Sequence, residues 1–279
     1  MRSAILFAVP LALFCVSTAG AQRSDDTTAQ SPAVQSSTPA SSPAADSPMT
    51  PRQAAEMRAD VFMARKEYAE AADAYIQILS GEPKNAQLAN KVGIAYQQLG
   101  ELNKSERFYK RSIKADKNFA SPLNNLGTVE YEKKHFGKAI GLYNKAVLLR
   151  TDMATIYSNL GYAYFANKEF PEAMGAFGKA LAIDPGIFDR KGSGGTIVQQ
   201  RTTTDPGLFY FFVAKSFALA GDIEHAAHYL KLARDDGYKD FLSADKDPAF
   251  AKIVKDPRIR EVLQTPPSYS DEAKKTNPN

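Results

Sequence analysis

The stretch Thr155–Pro185, TIYSNLGYAYFANKEFPEAMGAFGKALAIDP, decides the fold. Leu160, Gly161 and Tyr164 share one helical face. After a short break at Asn167–Glu169, residues Phe170, Ala173, Phe177 and Ala180 make a second face, which Pro185 ends. Apolar residues three and four apart in both runs predict two amphipathic helices rather than strands. Gly161, Ala173 and Ala180 leave no bulk where two helix backbones approach, and Tyr164 and Phe177 fill the space beside them. One such hairpin cannot bury its own apolar faces, so copies of it are expected to stack.

The copies recur at a step of 34 residues. Stepping back from Leu160-Gly161 reaches Leu126-Gly127 and Val92-Gly93. Ala173 leads to Ala139, Ser105 and Ala71; Phe177 leads to Tyr143, Tyr109 and Tyr75; Ala180 leads to Ala146, Ser112 and Ile78. From Pro185 the step gives Thr151, Lys117 and Pro83. Glu130 stands where Tyr96 and Tyr164 stand, with Tyr131 one place on.

Period and residue pattern resemble the tetratricopeptide repeat family. Four in-register units run from about Arg52 to Ile187. A looser fifth spans Gly207–Tyr238, where Val213-Ala214, Phe217, Ala226, Leu230 and Ala233 fit and Tyr238 replaces the proline. The resemblance implies an all-α, right-handed superhelical solenoid of helix-turn-helix repeats. In that family the first helix of each unit lines a concave groove for extended or helical peptides. Carried over in register, the groove positions are Asn90, Ile94 and Gln97 in repeat two; Asn124, Thr128 and Tyr131 in repeat three; Ser158, Tyr162 and Phe165 in repeat four; and Phe211 and Lys215 in repeat five. Asn125 and Asn159 occupy the adjoining position. Asn, Gln, Ser and Thr both donate to and accept from a peptide backbone. Tyr131, Tyr162 and Phe165 are expected to stand exposed as rigid apolar anchors; the competing reading packs them against neighbouring helices. The family's basic clamp for a terminal carboxylate is missing, since repeat one has Glu56 and Asp60 at groove positions and repeats two to four have neutral residues there.

The chain has 279 residues, 44% hydrophobic and 24% charged, enough for one sizeable solenoid. Residues 1–21 read as a secretory signal: Arg2, an apolar core over Ala4–Val16, and an A-x-A-type site at Ala19-Gly20-Ala21. The core is shorter than the roughly 20 residues a spanning helix needs. Cleavage after Ala21 is expected, with a periplasmic or secreted product and no membrane insertion; an uncleaved anchor is the alternative. Without Arg2, 34 Lys and Arg face 31 Asp and Glu, too slight an excess to imply nucleic acid or an anionic membrane as partner. Cys15 is the single cysteine and lies in the leader, which leaves no disulfide or thiol chemistry afterwards.

Residues 22–49, rich in Ser, Thr, Pro and Ala, read as a disordered linker or a glycosylated stalk. The solenoid then spans 50–238, opening with the start signal Thr50-Pro51-Arg52-Gln53. Its period breaks at an insertion over 186–204 that carries Arg190-Lys191-Gly192-Ser193-Gly194-Gly195 and a β-leaning Thr196–Arg201. The glycines do not form a phosphate loop, because the lysine precedes them. Asp205-Pro206 restarts a helix. Asp247-Pro248 and Asp256-Pro257 head two short helices, so 239–264 reads as a C-terminal helical cap and 265–279 as a polar tail.

Chemistry needs convergent groups, and the sequence offers few. His225 and His228, at i and i+3 beside Glu224, could take a metal but have no third ligand in reach. His135 falls in the turn of repeat three. H-E-x-x-H, G-x-S-x-G and C-x-x-C do not occur. The expectation is a non-enzymatic, cofactor-free scaffold that binds a protein or peptide. The alternatives are a structural spacer in an envelope complex, or a metal- or nucleotide-binding enzyme using the 190–204 loop with His225 and His228.

Overall fold

The computed structural model describes residues 49–188 and 205–266. The signal, the linker up to residue 48, the insertion from residue 189 with its Arg190–Gly195 and β-leaning Thr196–Arg201, and the tail from residue 267 lie outside the described residues.

Every described element is helical. Repeat one is α1 (Pro51–Ala64) and α2 (Tyr68–Gly81). Repeat two is α3 (Ala86–Gln98) and α4 (Leu102–Ala115). Repeat three is α5 (Ala120–Glu132) and α6 (Phe136–Leu149), and repeat four is α7 (Ala154–Ala166) and α8 (Phe170–Ile183). Repeat five is α9 (Pro206–Ala220) and α10 (Ile223–Asp235). Two 3-10 turns, Lys239–Asp245 and Pro248–Phe250, lead to α11 (Pro257–Gln264). Each helix packs on the next in the chain, α8 on α9 included, which is the stacking of a helical-repeat solenoid.

The ends of these helices follow from local chemistry. Thr50 and Gln53 form a reciprocal capping box at α1, where Pro51 gives up an amide that would go unbonded anyway. Asn85, Asp205, Asp222, Asp247 and Asp256 accept from backbone amides at their own helix starts. The turn inside each repeat passes through one left-handed residue: Lys66, Gly100, Lys134, Lys168 and Gly221.

Ala71, Ser105, Ala139, Ala173 and Ala226, the small residues on the second helices, are all fully buried. So are the rings Tyr75, Tyr109, Tyr143 and Phe177, which seat against the first helix of their own repeat. A Cβ on Gly161 would lie 2.4 Å from Phe177 Cδ1; on Gly93 it would lie 2.5 Å from Tyr109, and on Gly127 2.7 Å from Tyr143. Glycine is required at these places because a ring occupies the space of a side chain. Glu130, the departure in repeat three, is buried and bonds His135 Nδ1 at 2.8 Å, so its carboxylate folds back onto the turn.

The chain after Pro185 departs from expectation. Ile187 and Phe188, at the start of the segment read as an insertion, are buried core. Phe188 packs edge-on against Phe177, with centroids 5.4 Å apart. Beyond α10, Phe250 and Ile259 are fully buried, and Phe250 lies 6.0 Å from Phe211 of α9.

Candidate functional site

Side chains on successive odd-numbered helices meet along one face, and they do so at a constant offset. Lys91 Nζ bonds Glu56 at 2.7 Å, Asn125 Nδ2 bonds Asn90 at 3.1 Å, Asn159 Nδ2 bonds Asn124 at 2.9 Å, and Gln97 Nε2 bonds Glu132 at 2.7 Å. Each pair is 35 residues apart, one repeat plus one. A residue on one helix therefore faces the residue one place further along the equivalent helix. Asn124 also bonds Asn125 at 3.3 Å, which joins the amides into a ladder running Asn90, Asn125, Asn124, Asn159.

The offset does not continue into repeat five: Phe209 of α9 meets Tyr162 and Phe165, and Phe212 meets Phe165. Among the described residues, no polar group of α9 extends the ladder. Ser158 Oγ and Asn159 Oδ1 are buried and, among the described residues, have no hydrogen-bond partner.

The buried rings of the second helices direct their hydroxyls at this face. Tyr75 donates to Asp60, Tyr109 donates to Gln97 at 2.7 Å, and Tyr143 lies 3.1 Å from Thr128 Oγ1. In repeat four the ring is Phe177 and has no hydroxyl to satisfy. The residue equivalent to Asp60 and Thr128 is there Tyr162, packed edge-on to Phe177 at 5.5 Å.

Electrostatics differ along the face. Burial opposes charge on Asp60, but Lys91 and Tyr75 outweigh it and hold the carboxyl below its usual range. Burial likewise opposes charge on Lys91, yet Asp60 and Glu56 hold its ammonium above its usual range. Glu132 moves the other way: burial raises its carboxyl, against the opposing bond from Gln97.

Three expected anchors prove not to be exposed. Tyr131 is 3% exposed, Tyr162 1% and Phe165 8%. Tyr162 stacks on Phe209 at 5.0 Å and meets Phe188 at 6.4 Å; Phe165 meets Phe170, Phe209 and Phe212; Tyr131 meets Phe136 at 5.2 Å. Rings from α9 and from the chain after Pro185 cover Tyr162 and Phe165, and Phe136 of α6 packs on Tyr131, so the competing reading holds for these residues. Phe211 is also buried, against Tyr238 and Phe250, and Lys215 is drawn to Asp247 at 2.8 Å. The segment after α10 thus covers the repeat-five positions. Asn90, Thr128, Ser158 and Asn159 are buried within the face, whereas Ile94, Gln97, Asn124 and Asn125 are partly open to solvent. Sequence reading missed Lys91 and Glu132; the 35-residue offset is the signal that would have found both.

The histidines are engaged elsewhere. His225 bonds Asp222 at 2.7 Å and stacks on Phe217, while His228 lies edge-on to Tyr229. Among the described residues no three His, Cys, Asp or Glu side chains converge as metal ligands. No described helix is long and apolar enough to cross a membrane.

The solved structure of PilF from Pseudomonas aeruginosa is similar to this chain at 18% identity and a TM-score of 0.51, over 82% of this chain and 92% of that one. At that identity the likeness is one of fold. MamA from Desulfovibrio magneticus RS-1 aligns at 17% identity and a TM-score of 0.48, over 66% of this chain and 94% of its own. YrrB, described as a TPR protein with an unusual peptide-binding site, aligns at 17% identity and 0.46, over 69% of this chain and 91% of its own. No curated protein matches the sequence. Two family models described as tetratricopeptide repeat match residues 56–119 and 154–187. The second match coincides with repeat four as the packing of α7 on α8 defines it, and these stretches of the chain carry tetratricopeptide repeats.

Proposed function

We propose that this protein is an exported, non-enzymatic interaction scaffold that holds a segment of a partner protein along the odd-helix face of repeats one to three. Tetratricopeptide repeats serve generally as protein-interaction scaffolds, and the two matches carry that much. The finer reading rests on one observation: the face is partly open at Ile94, Gln97, Asn124 and Asn125, while the same face in repeats four and five is filled by the chain's own rings. Amides fixed by their neighbours offer a peptide backbone donors and acceptors at little further entropy cost. The proposed periplasmic or secreted address is supported by the Arg2, Ala4–Val16 and Ala19-Gly20-Ala21 pattern.

The test is a binding isotherm against peptides selected on the purified chain, repeated with Ile94→Ala and Asn124→Ala combined. Loss of affinity of about 2 kcal/mol or more, the range of hot-spot residues, with thermal stability retained, supports the reading. Unchanged affinity moves recognition off this face.

A further inference from the structure

Glu132 ends a chain of oriented groups. Tyr109 donates its hydroxyl to Gln97 Oε1 at 2.7 Å, which leaves the Gln97 amide nitrogen as the end presented to Glu132, 2.7 Å from its Oε1. The carboxylate is partly buried and is the last residue of α5. A helix C-terminus favours positive charge, so this is an unfavourable place for an anion. Burial adds to the cost and raises the carboxyl's pKa. Among the described residues no cation pairs with it. The adjacent Lys133 is turned to Glu106 and Asn103, at 2.5 and 3.1 Å, and Lys91 serves Glu56 and Asp60.

Two repeats earlier the same face shows how such a carboxylate is satisfied. Asp60 accepts directly from a buried tyrosine, Tyr75, where Glu132 is reached from Tyr109 only through Gln97, and Lys91 of α3 brings an ammonium to 2.7 Å. At Glu132 the tyrosine, the amide and the carboxylate are in place, and the ammonium is the missing member.

We infer that Glu132 is the specificity-determining residue of this face and receives the ammonium or guanidinium of a Lys or Arg in the bound segment. The inference rests on the proposal that the odd-helix face holds a partner segment. The attraction of an arriving cation would offset both the desolvation cost and the helix-end repulsion, while Gln97 keeps the carboxylate aimed.

The probe is a display library of random 12-residue peptides, selected in parallel on wild type, Glu132→Gln and Glu132→Lys. Glutamine keeps the shape and an acceptor for Gln97, and thermal denaturation checks that each variant folds. Expected are wild-type pools enriched several-fold in Lys or Arg at one position, binders that lose about tenfold affinity on Glu132→Gln, and Glu132→Lys pools enriched in Asp or Glu instead. Wild-type binders without basic enrichment, or with enrichment and affinity unchanged by both substitutions, overturn the inference and leave the face reading standing. Recovery of no binders by any form overturns both.

Discussion

Gly161 lies directly against the ring of Phe177: a Cβ at Gly161 would fall 2.4 Å from Phe177 Cδ1 and the same distance from Cε1. The relation joins α7 to α8 inside one repeat, and it recurs at Gly93 with Tyr109 and at Gly127 with Tyr143. The glycine and the ring are one packing unit, repeated along the chain with the period of the sequence.

Gly161→Ala tests that unit. Alanine stabilises an exposed helix interior by roughly 0.5–1 kcal/mol relative to glycine, but here the added methyl would overlap a fully buried ring. Overpacking of about 1–3 kcal/mol wins, and the denaturant midpoint is expected to fall. Gly141→Ala in α6 and Gly175→Ala in α8 are the controls, because their Cβ atoms would meet nothing within 4 Å. Both are expected to raise the midpoint; a rise at Gly161 as well would show that the ring moves freely.

Tyr162→Ala is expected to be a folding lesion. Its ring is enclosed by Phe177, Phe188 and Phe209, and removing a buried aromatic costs about 3–5 kcal/mol. Thermal unfolding compared with wild type checks this. A Tm within a degree or two of wild type would place the ring in solvent.

His135→Ala removes the partner of a buried carboxylate. Glu130 is 7% exposed and bonds His135 at 2.8 Å. Leaving a buried acceptor without its partner costs about 1–3 kcal/mol, so the urea midpoint should drop. Restoring most of the loss with His135→Gln, whose amide can donate to Glu130, would assign the effect to the bond. A midpoint that does not move would mean that the bond contributes nothing.

Glu106 predicts a pH dependence. Bonds from Lys110 and Lys133 lower its pKa from 4.5 to about 2. Because the folded pKa is depressed, the contribution is present above the unfolded value of 4.5 and is lost as pH falls through about 2. Both lysines lie near the surface, so the size is about 1 kcal/mol or less. The stability gap between wild type and Glu106→Gln should hold constant above pH 5 and close between pH 4.5 and 2. A gap that is unchanged at pH 2 would show that the ion pairs contribute nothing.

Much of the fold was legible before any coordinates. The alternation of Leu-Gly, Ala, aromatic and Ala at a step of 34 residues specifies which residue of each helix touches its partner, because such contacts lie within one hairpin. Helix starts at Thr50, Asp205, Asp247 and Asp256 were readable for the same reason: a cap bonds to amides two or three residues away. The solvent exposure of the odd-helix face was not. Tyr162 and Thr128 hold equivalent places in the repeat, and nothing local says that Tyr162 is covered. Phe188 and Phe209 cover it from beyond the register, and Asp247 reaches Lys215 from beyond the last repeat.

The sequence by itself determined the helices, their pairing and the glycine seats, since these rest on interactions spanning at most one repeat. The tertiary structure alone decided which polar groups meet between repeats and which part of the face stays open. Those outcomes depend on the one-residue offset between stacked helices and on rings arriving from distant chain, quantities that have no local trace around Asn124, Glu132 or Tyr162.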